Sequence, residues 1–187
     1  INMFVLGLTG GVASGKTTAS NHFKNKGIEI IDADEISRSL QEQGTQGYEK
    51  ILKKFGQAIL NQDGTIDRKV LRELAFKTEK NKKWLEDLMH PLIQSEVLKR
   101  LENVKSFWAV YSAPLWNKKH KFNRTLVIDS PSDLQFKRIM KRDGCSEKIA
   151  RKIISNQISG NERSCFATDL IINDGSIEEF QKKLDFY

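Results

Sequence analysis

Residues 10–18 read Gly-Gly-Val-Ala-Ser-Gly-Lys-Thr-Thr. Gly10, four further residues and then Gly15-Lys16-Thr17 have the spacing of a loop that wraps phosphate groups. Glycine opens backbone angles closed to other residues, so the chain can curve closely around an anion. The N–H groups of Gly11, Val12, Ala13, Ser14 and Gly15 can then converge as an anion nest. A helix starting at Lys16 adds its positive end to the same place. Lys16 reaches the β- and γ-phosphates as a point charge, the Thr17 hydroxyl can ligate Mg²⁺, and Thr18 completes the loop. The plain alternative is a glycine-rich turn with no ligand. The flanks favour the phosphate loop, because an apolar run, Phe4 to Leu8, precedes it and a helical pattern, Lys16 to Lys26, follows.

A second group able to do chemistry is Asp32-Ala33-Asp34, directly after the apolar Ile28-Glu29-Ile30-Ile31. Ligands of open α/β sheets sit beyond the carboxyl ends of the strands, so this pair is expected beside the phosphate loop. Two carboxylates there can serve Mg²⁺ and a substrate hydroxyl. The alternative for Asp34 is a capping role on a helix Glu35 to Leu40. A third group is basic: Lys137, Arg138, Lys141 and Arg142 lie along one side of a helix, and Lys148, Arg151 and Lys152 follow on the next, Glu147 to Ile158. A basic helical hairpin suits a lid over a triphosphate, its arginines meeting the charge of a transferring phosphoryl group. Two solvated helix faces are the alternative.

The elements that must position these groups follow from periodicity. Phe107–Tyr111, Thr125–Asp129 and Asp169–Asn173 read as further strands, and the alternation with helices implies one parallel, three-layered α/β sheet. No acidic residue closes the Phe107–Tyr111 strand, which leaves Asp32 as the candidate for the Mg²⁺ shell. Residues 35–101 are mainly helical and far exceed the roughly 10–12 residues of an ordinary crossover, so they read as an insertion that holds a second substrate. Within them Asp67 is a helix cap, and Pro91, after His90, should kink or restart a helix. Ser132 with Gln135, and Ser176 with Glu179, read as capping boxes, and Ser146 as a further cap. Gly27 suits a left-handed helix end.

Composition narrows the setting. With 187 residues, 39% hydrophobic and 29% charged, the chain is sized for one well-buried domain with small insertions. No apolar run approaches the ~20 residues of a membrane span, and the start does not read as a signal peptide, so no membrane partner is expected. Met3 is a candidate natural start. Cys145 and Cys165 are too few for a disulfide framework and lack metal-ligand spacing, which points to a reduced, cytoplasmic setting. A net charge of +7 implies anionic partners.

Taken together, the chain resembles the dephospho-coenzyme A kinase family over nearly its whole length. The opening 7–18 and Asp32-Ala33-Asp34 with Ile36 and Arg38 are similar to its first two motifs. Asp63-Gly64 with Ile66-Asp67-Arg68, Leu71 and Phe76, then Leu85-Glu86 with His90-Pro91 and Ile93, resemble its helical insertion. Pro114-Leu115, Gln135, Arg138, Arg142, Gln157, Asp169 and Asn173 match later positions. Two positions depart. Lys118 stands where the family has a glutamate after its proline-dileucine element, and Ala13 replaces the first glycine of its Gly-Ser-Gly-Lys. Alanine still offers its N–H.

The resemblance implies a three-layer P-loop kinase fold with a five-stranded parallel sheet. The nucleotide-binding core would be 1–34, 104–134 and 164–187, the acceptor-binding insertion 35–103 and the lid 135–163. It implies transfer of the ATP γ-phosphoryl to the ribose 3′-hydroxyl of dephospho-CoA, the last step of coenzyme A biosynthesis, in the cytoplasm by a monomer or weak homo-oligomer. Lys16, Asp34, Asp32 and Arg142 are then the candidate catalytic residues. Thr17 and Asp32, the latter through water, would hold Mg²⁺. ATP would be bound by Gly10 to Thr18 with Arg138 and Asn173, and the acceptor by Thr9, Asp34, Arg68, Arg72 and His90. Either aspartate of the pair could orient the hydroxyl, and positioning outweighs proton removal for a group as weakly basic as a carboxylate. A kinase for a nucleoside monophosphate or a hydroxy acid is the rival enzyme. A GTP switch lacks its Asn-Lys-x-Asp segment. A nucleic-acid binder rests only on the +7 charge, and the basic residues are scattered without aromatic stacking platforms, so no nucleic acid is expected.

Overall fold

The computed structural model describes residues 3–113, 122–157, 159–165 and 167–187. Residues 114–121, which include Pro114, Leu115 and Lys118, lie outside that set. Chain contacts divide the protein into two units, Ile1–Ile31 with Val104–Tyr187, and Asp32–Asn103.

The first unit is built on a sheet of five strands: β1 (Phe4–Gly10), β2 (Glu29–Asp32), β3 (Trp108–Ser112), β4 (Arg124–Asp129) and β5 (Asp169–Ile172). Their order is β2-β3-β1-β4-β5, which puts β1 at the centre. It pairs in parallel with β3, Leu8 opposite Ser112, and with β4, Gly10 opposite Ile128. Central parallel strands are apolar on both faces, and the burial of Leu6, Leu8, Val110, Leu126, Val127 and Ile128 follows that rule. Alternate residues share a face, so Leu6 and Leu8 join Leu126 and Ile128 in one layer. Helices α1 (Lys16–Asn25) and α9 (Ile177–Leu184) cover it with Ala19, Phe23, Phe180 and Leu184. Gly27, at φ 81, ends α1 as expected. Ser176 and Glu179 form the expected capping box on α9.

Three helices of this unit carry the basic groups: α6 (Ser132–Asp143), α7 (Glu147–Ser155) and α8 (Gly160–Ser164). The capping box expected from Ser132 and Gln135 does not form. Pro131 is the N-cap residue, Ser132 is already helical, and the Gln135 side chain points to another partner, Val12. Ser146 does sit at the N-cap of α7, yet its hydroxyl makes no capping bond.

The second unit is helical: α2 (Ala33–Ser39), α3 (Gln46–Phe55), α4 (Arg68–Phe76) and α5 (Glu79–Glu102). Its own core gathers Tyr48, Ile51, Ile59, Ile66, Leu71 and Met89. Asp67 caps α4 as expected, accepting from the N–H of Lys69 at 2.9 Å and of Val70 at 3.1 Å. α5 runs unbroken from Glu79 to Glu102 with Pro91 inside it, so the proline does not restart the helix. A proline costs one backbone bond and crowds one carbonyl, and the turns on either side, anchored by the buried Met89, carry the helix across it.

Candidate active site

The phosphate loop spans the gap between the end of β1 and the start of α1. A hydrogen bond from Ser14 N–H to the Gly11 carbonyl, 3.1 Å, closes its first turn. Ala13 has φ 55, the left-handed region that costs an L-residue about 1–2 kcal/mol. Gly15 has φ 107, and a Cβ there would stand 2.5 Å from Asn173 Nδ2. At Gly10 a Cβ would stand 2.5 Å from Ser14 Oγ and 2.7 Å from the Ile128 carbonyl. Gly10 is therefore required by space, and Gly15 by space and by angle. No side chain caps α1, so the first N–H groups of that helix remain available to an anion. Ser14 Oγ is buried with no hydrogen-bond partner among the described residues. A polyphosphate fits such a cradle: open donors, no competing cap, and no side chain at Gly10 or Gly15 in the way.

Lys16 Nζ donates to Ser112 Oγ at 3.0 Å. Ser112 ends β3 and is fully buried. The neighbouring strand therefore offers the lysine a neutral hydroxyl, consistent with the absence of an acidic residue there. Thr17 is exposed in the first turn of α1.

Side chains from outside the loop grip its backbone. Asn173 Nδ2 donates to the Ser14 carbonyl at 2.8 Å. Arg138 donates to the Ala13 carbonyl at 3.3 Å and to Ser130 Oγ at 2.7 Å, and Ser130 in turn donates to the Asn173 carbonyl. Gln135 Nε2 donates to the Val12 carbonyl at 2.8 Å, and the Val12 N–H donates to Gln157 Oε1, also at 2.8 Å. Arg163 is 3% exposed and lies against Gly11, where a Cβ would come within 2.7 Å of its Nη1. Its Nη1 is 3.7 Å from Asp129 Oδ1, and its Nη2 donates to Gln157 Oε1 at 3.4 Å. Burial pushes the Arg163 pKa down, and the Asp129 charge opposes this.

Arg142 is placed differently from Arg138. It holds its helix neighbour Asp143 in a two-pronged pair, 2.6 and 2.8 Å, at the far end of α6. That bond raises the arginine's pKa and lowers the aspartate's. No bond from Arg142 to the loop occurs among the described residues.

In the second unit, Asp32 rather than Asp34 caps α2, its Oδ1 accepting from the N–H of Asp34 at 2.8 Å and of Glu35 at 3.1 Å. The cap leaves the half-buried Asp34 carboxylate in the first turn. The charges of Arg38, Arg72 and Asp34 all act on Arg68. Desolvation, then the like charges of Arg38 and Arg72, lower the Arg68 pKa, and Asp34 opposes them. Arginines whose charges act on one another, with a carboxylate among the opposing charges, suit an anionic molecule that also carries a hydroxyl. His90 is exposed on α5 and makes no hydrogen bond among the described residues. Thr9 is buried in β1.

Sequence reasoning missed Ser112, Ser130 and Arg163, and it assigned Gln135 to a cap. Ser112 carried a usable signal, as a small polar residue ending a strand beside the loop. Arg163 carried none, because α8 spans only Gly160–Ser164 and is too short to show periodicity.

Comparison with known proteins agrees with this geometry. The dephospho-CoA kinase family model matches residues 4–179. A dephospho-CoA kinase of Pseudoalteromonas translucida is 42% identical over 180 residues, 95% of this chain and 86% of that protein. One of Yersinia pseudotuberculosis is 38% identical over 175 residues, 92% of this chain and 85% of that protein. The crystallised dephospho-CoA kinase of Campylobacter jejuni superposes with a TM-score of 0.71 at 29% identity, over 97% of this chain and 94% of that one. A phosphate loop flanked by those gripping side chains, matched along almost its full length, makes this chain a member of the dephospho-CoA kinase family.

Proposed function

We propose that the chain transfers the γ-phosphoryl group of ATP to the ribose 3′-hydroxyl of dephospho-CoA, giving coenzyme A and ADP. The observation that carries this reading is the uncapped, glycine-shaped loop with Lys16 at its helix start, in a chain of this family. The loop N–H groups and Lys16 bind the triphosphate, with Arg138 and Asn173 holding the loop in shape. Mg²⁺ fits a hydroxyl and a carboxylate of the kind Thr17 and Asp32 supply, and when bound it neutralises phosphate charge. Asp32 uses one oxygen on the α2 cap, which leaves the other for a metal-bound water. Asp34 orients the 3′-hydroxyl, and Arg68 and Arg72 bind the acceptor's phosphates, with His90 and Thr9 as further contacts. Lys16 and Arg142 offset the charge that develops on the transferring group.

In this reading residues 35–103 carry the acceptor and residues 135–163 form a lid that excludes water, which would otherwise hydrolyse ATP. The protein works in the cytoplasm, in keeping with a chain of two cysteines. Among the described residues no helix is long and apolar enough to cross a membrane.

Product analysis tests the proposal. The protein is mixed with Mg-ATP and, separately, dephospho-CoA, AMP, CMP or shikimate. Coenzyme A in the first mixture alone is expected. Phosphorylation of a different acceptor would keep the kinase and overturn the substrate.

A further inference from the structure

The peptide group of Val12 is bonded on both sides by glutamine amides. Its carbonyl accepts from Gln135 Nε2 and its N–H donates to Gln157 Oε1, each at 2.8 Å. The two glutamines come from opposite ends of one helical segment. Gln135 lies in the first turn of α6, and Gln157 lies just beyond α7. The polarity is forced. A backbone N–H can only donate, and so can Arg163, whose Nη2 also points at Gln157 Oε1 from 3.4 Å. Gln157 must therefore present oxygen, and Gln135, facing a carbonyl, must present its NH₂. The next residue is Ala13 at φ 55, a conformation that alanine holds only when its surroundings impose it.

We propose that Gln135 and Gln157 clamp the Val12 peptide and thereby hold the phosphate loop in its anion-binding curve, which makes Gln157 a positioning residue for phosphoryl transfer. The clamp ties the far end of the α6–α7 segment to the loop, so any movement of that segment is felt at the triphosphate site. The proposal rests on the kinase reading above and adds to it a device for loop geometry.

The test compares Gln157→Met, which keeps length and loses the acceptor, with Gln157→Glu, which keeps an acceptor oxygen. With Gln157→Met, kcat falls on the order of 10- to 100-fold, the scale of a reacting group displaced by about 1 Å. The KM for the acceptor and the melting temperature stay near wild type, since neither the acceptor site nor the core is touched. Gln157→Glu recovers most of the loss. A loss below about 3-fold in Gln157→Met, well short of that displacement scale, overturns the clamp. So does a Gln157→Glu as impaired as Gln157→Met.

Should Gln157→Met fail to fold, Gln135→Glu against Gln157→Glu decides. Both add the same charge, but only the first replaces a needed donor with an acceptor. Equal activities overturn the proposal, and a lower activity in Gln135→Glu supports it. Calorimetric titration with Mg-ATP separates the two readings. If wild type binds Mg-ATP yet makes no coenzyme A, the substrate assignment fails, and the clamp is then judged by whether Gln157→Met weakens that binding and Gln157→Glu restores it.

Discussion

Ala13 concentrates the tension between chemistry and conformation at this site. Its left-handed φ of 55 would suit glycine, and its carbonyl is held by Arg138 at 3.3 Å. Ala13→Gly removes about 1–2 kcal/mol of strain. It also adds unfolded-state entropy worth about 0.4–1 kcal/mol. The net expectation is a stabilisation between about 0 and 1.6 kcal/mol, read by calorimetry as roughly 2–4 °C in melting temperature per 1 kcal/mol for a chain of this size. The conformation could not be read from the residue type, since alanine gives no sign of a positive φ. The glycines at 10 and 15 were legible because spacing alone demands them. Arg163 was not legible, because what defines it is burial against Gly11, a tertiary fact.

Elements were read more reliably than the roles of their ends. The strands appear where short apolar runs predict them, within a residue or two. Capping signals divided. Asp67, and Ser176 with Glu179, cap as their spacing suggests. Ser132 and Gln135 have equally good spacing, but a partner distant in sequence, the Val12 carbonyl, competes for the glutamine and wins. Pattern reading cannot see such a competitor. The α6 helix also separates two arginines that the sequence places along one side of it. Arg138 already bonds the loop, whereas Arg142 is held by Asp143. If this segment closes on ATP as proposed, Arg142 must exchange Asp143 for phosphate. Arg142→Ala then lowers kcat on the order of 10²–10³-fold at saturating ATP. Steady-state turnover that stays at the wild-type rate would remove Arg142 from the reaction.

At the scale of the whole molecule, the first unit sets limits on stability with pH. Arg124 at the start of β4 pairs with Asp169 at the start of β5, 2.8 Å through Nε, and its guanidinium lies 5.5 Å from the Tyr187 ring centroid. Burial raises the Asp169 pKa, but the bonds from Arg124 and Thr168 outweigh it and hold the carboxyl below the usual value of 3.8. A lowered carboxylate stabilises the fold above 3.8, and that contribution is lost as pH falls through the lowered folded value. Tyr187 is the reverse case. Burial, then the Asp169 charge, push its phenol from 10.0 up to about 12. Its contribution is complete below 10.0 and fades as pH climbs toward about 12. Chemical denaturation across that alkaline window should show stability falling in wild type and a shallower fall in Tyr187→Phe.

The long helical stretch between β2 and β3 makes up the second unit, Asp32–Asn103. The burial that gives the second unit its own core was visible only as stripes of apolar residues. The cations around the phosphate loop lean mostly on uncharged oxygens: Lys16 on the Ser112 hydroxyl, Arg138 on the Ala13 carbonyl and Ser130. Asp129, beside Arg163, is the acidic side chain described in contact with them. Lys16 and Arg138 meet no carboxylate among the described residues, and a loop so built attracts compact dianions in general. Sulfate and inorganic phosphate become natural competitors for the place of the nucleotide, and the ionic makeup of the surroundings helps set how much ATP the protein needs.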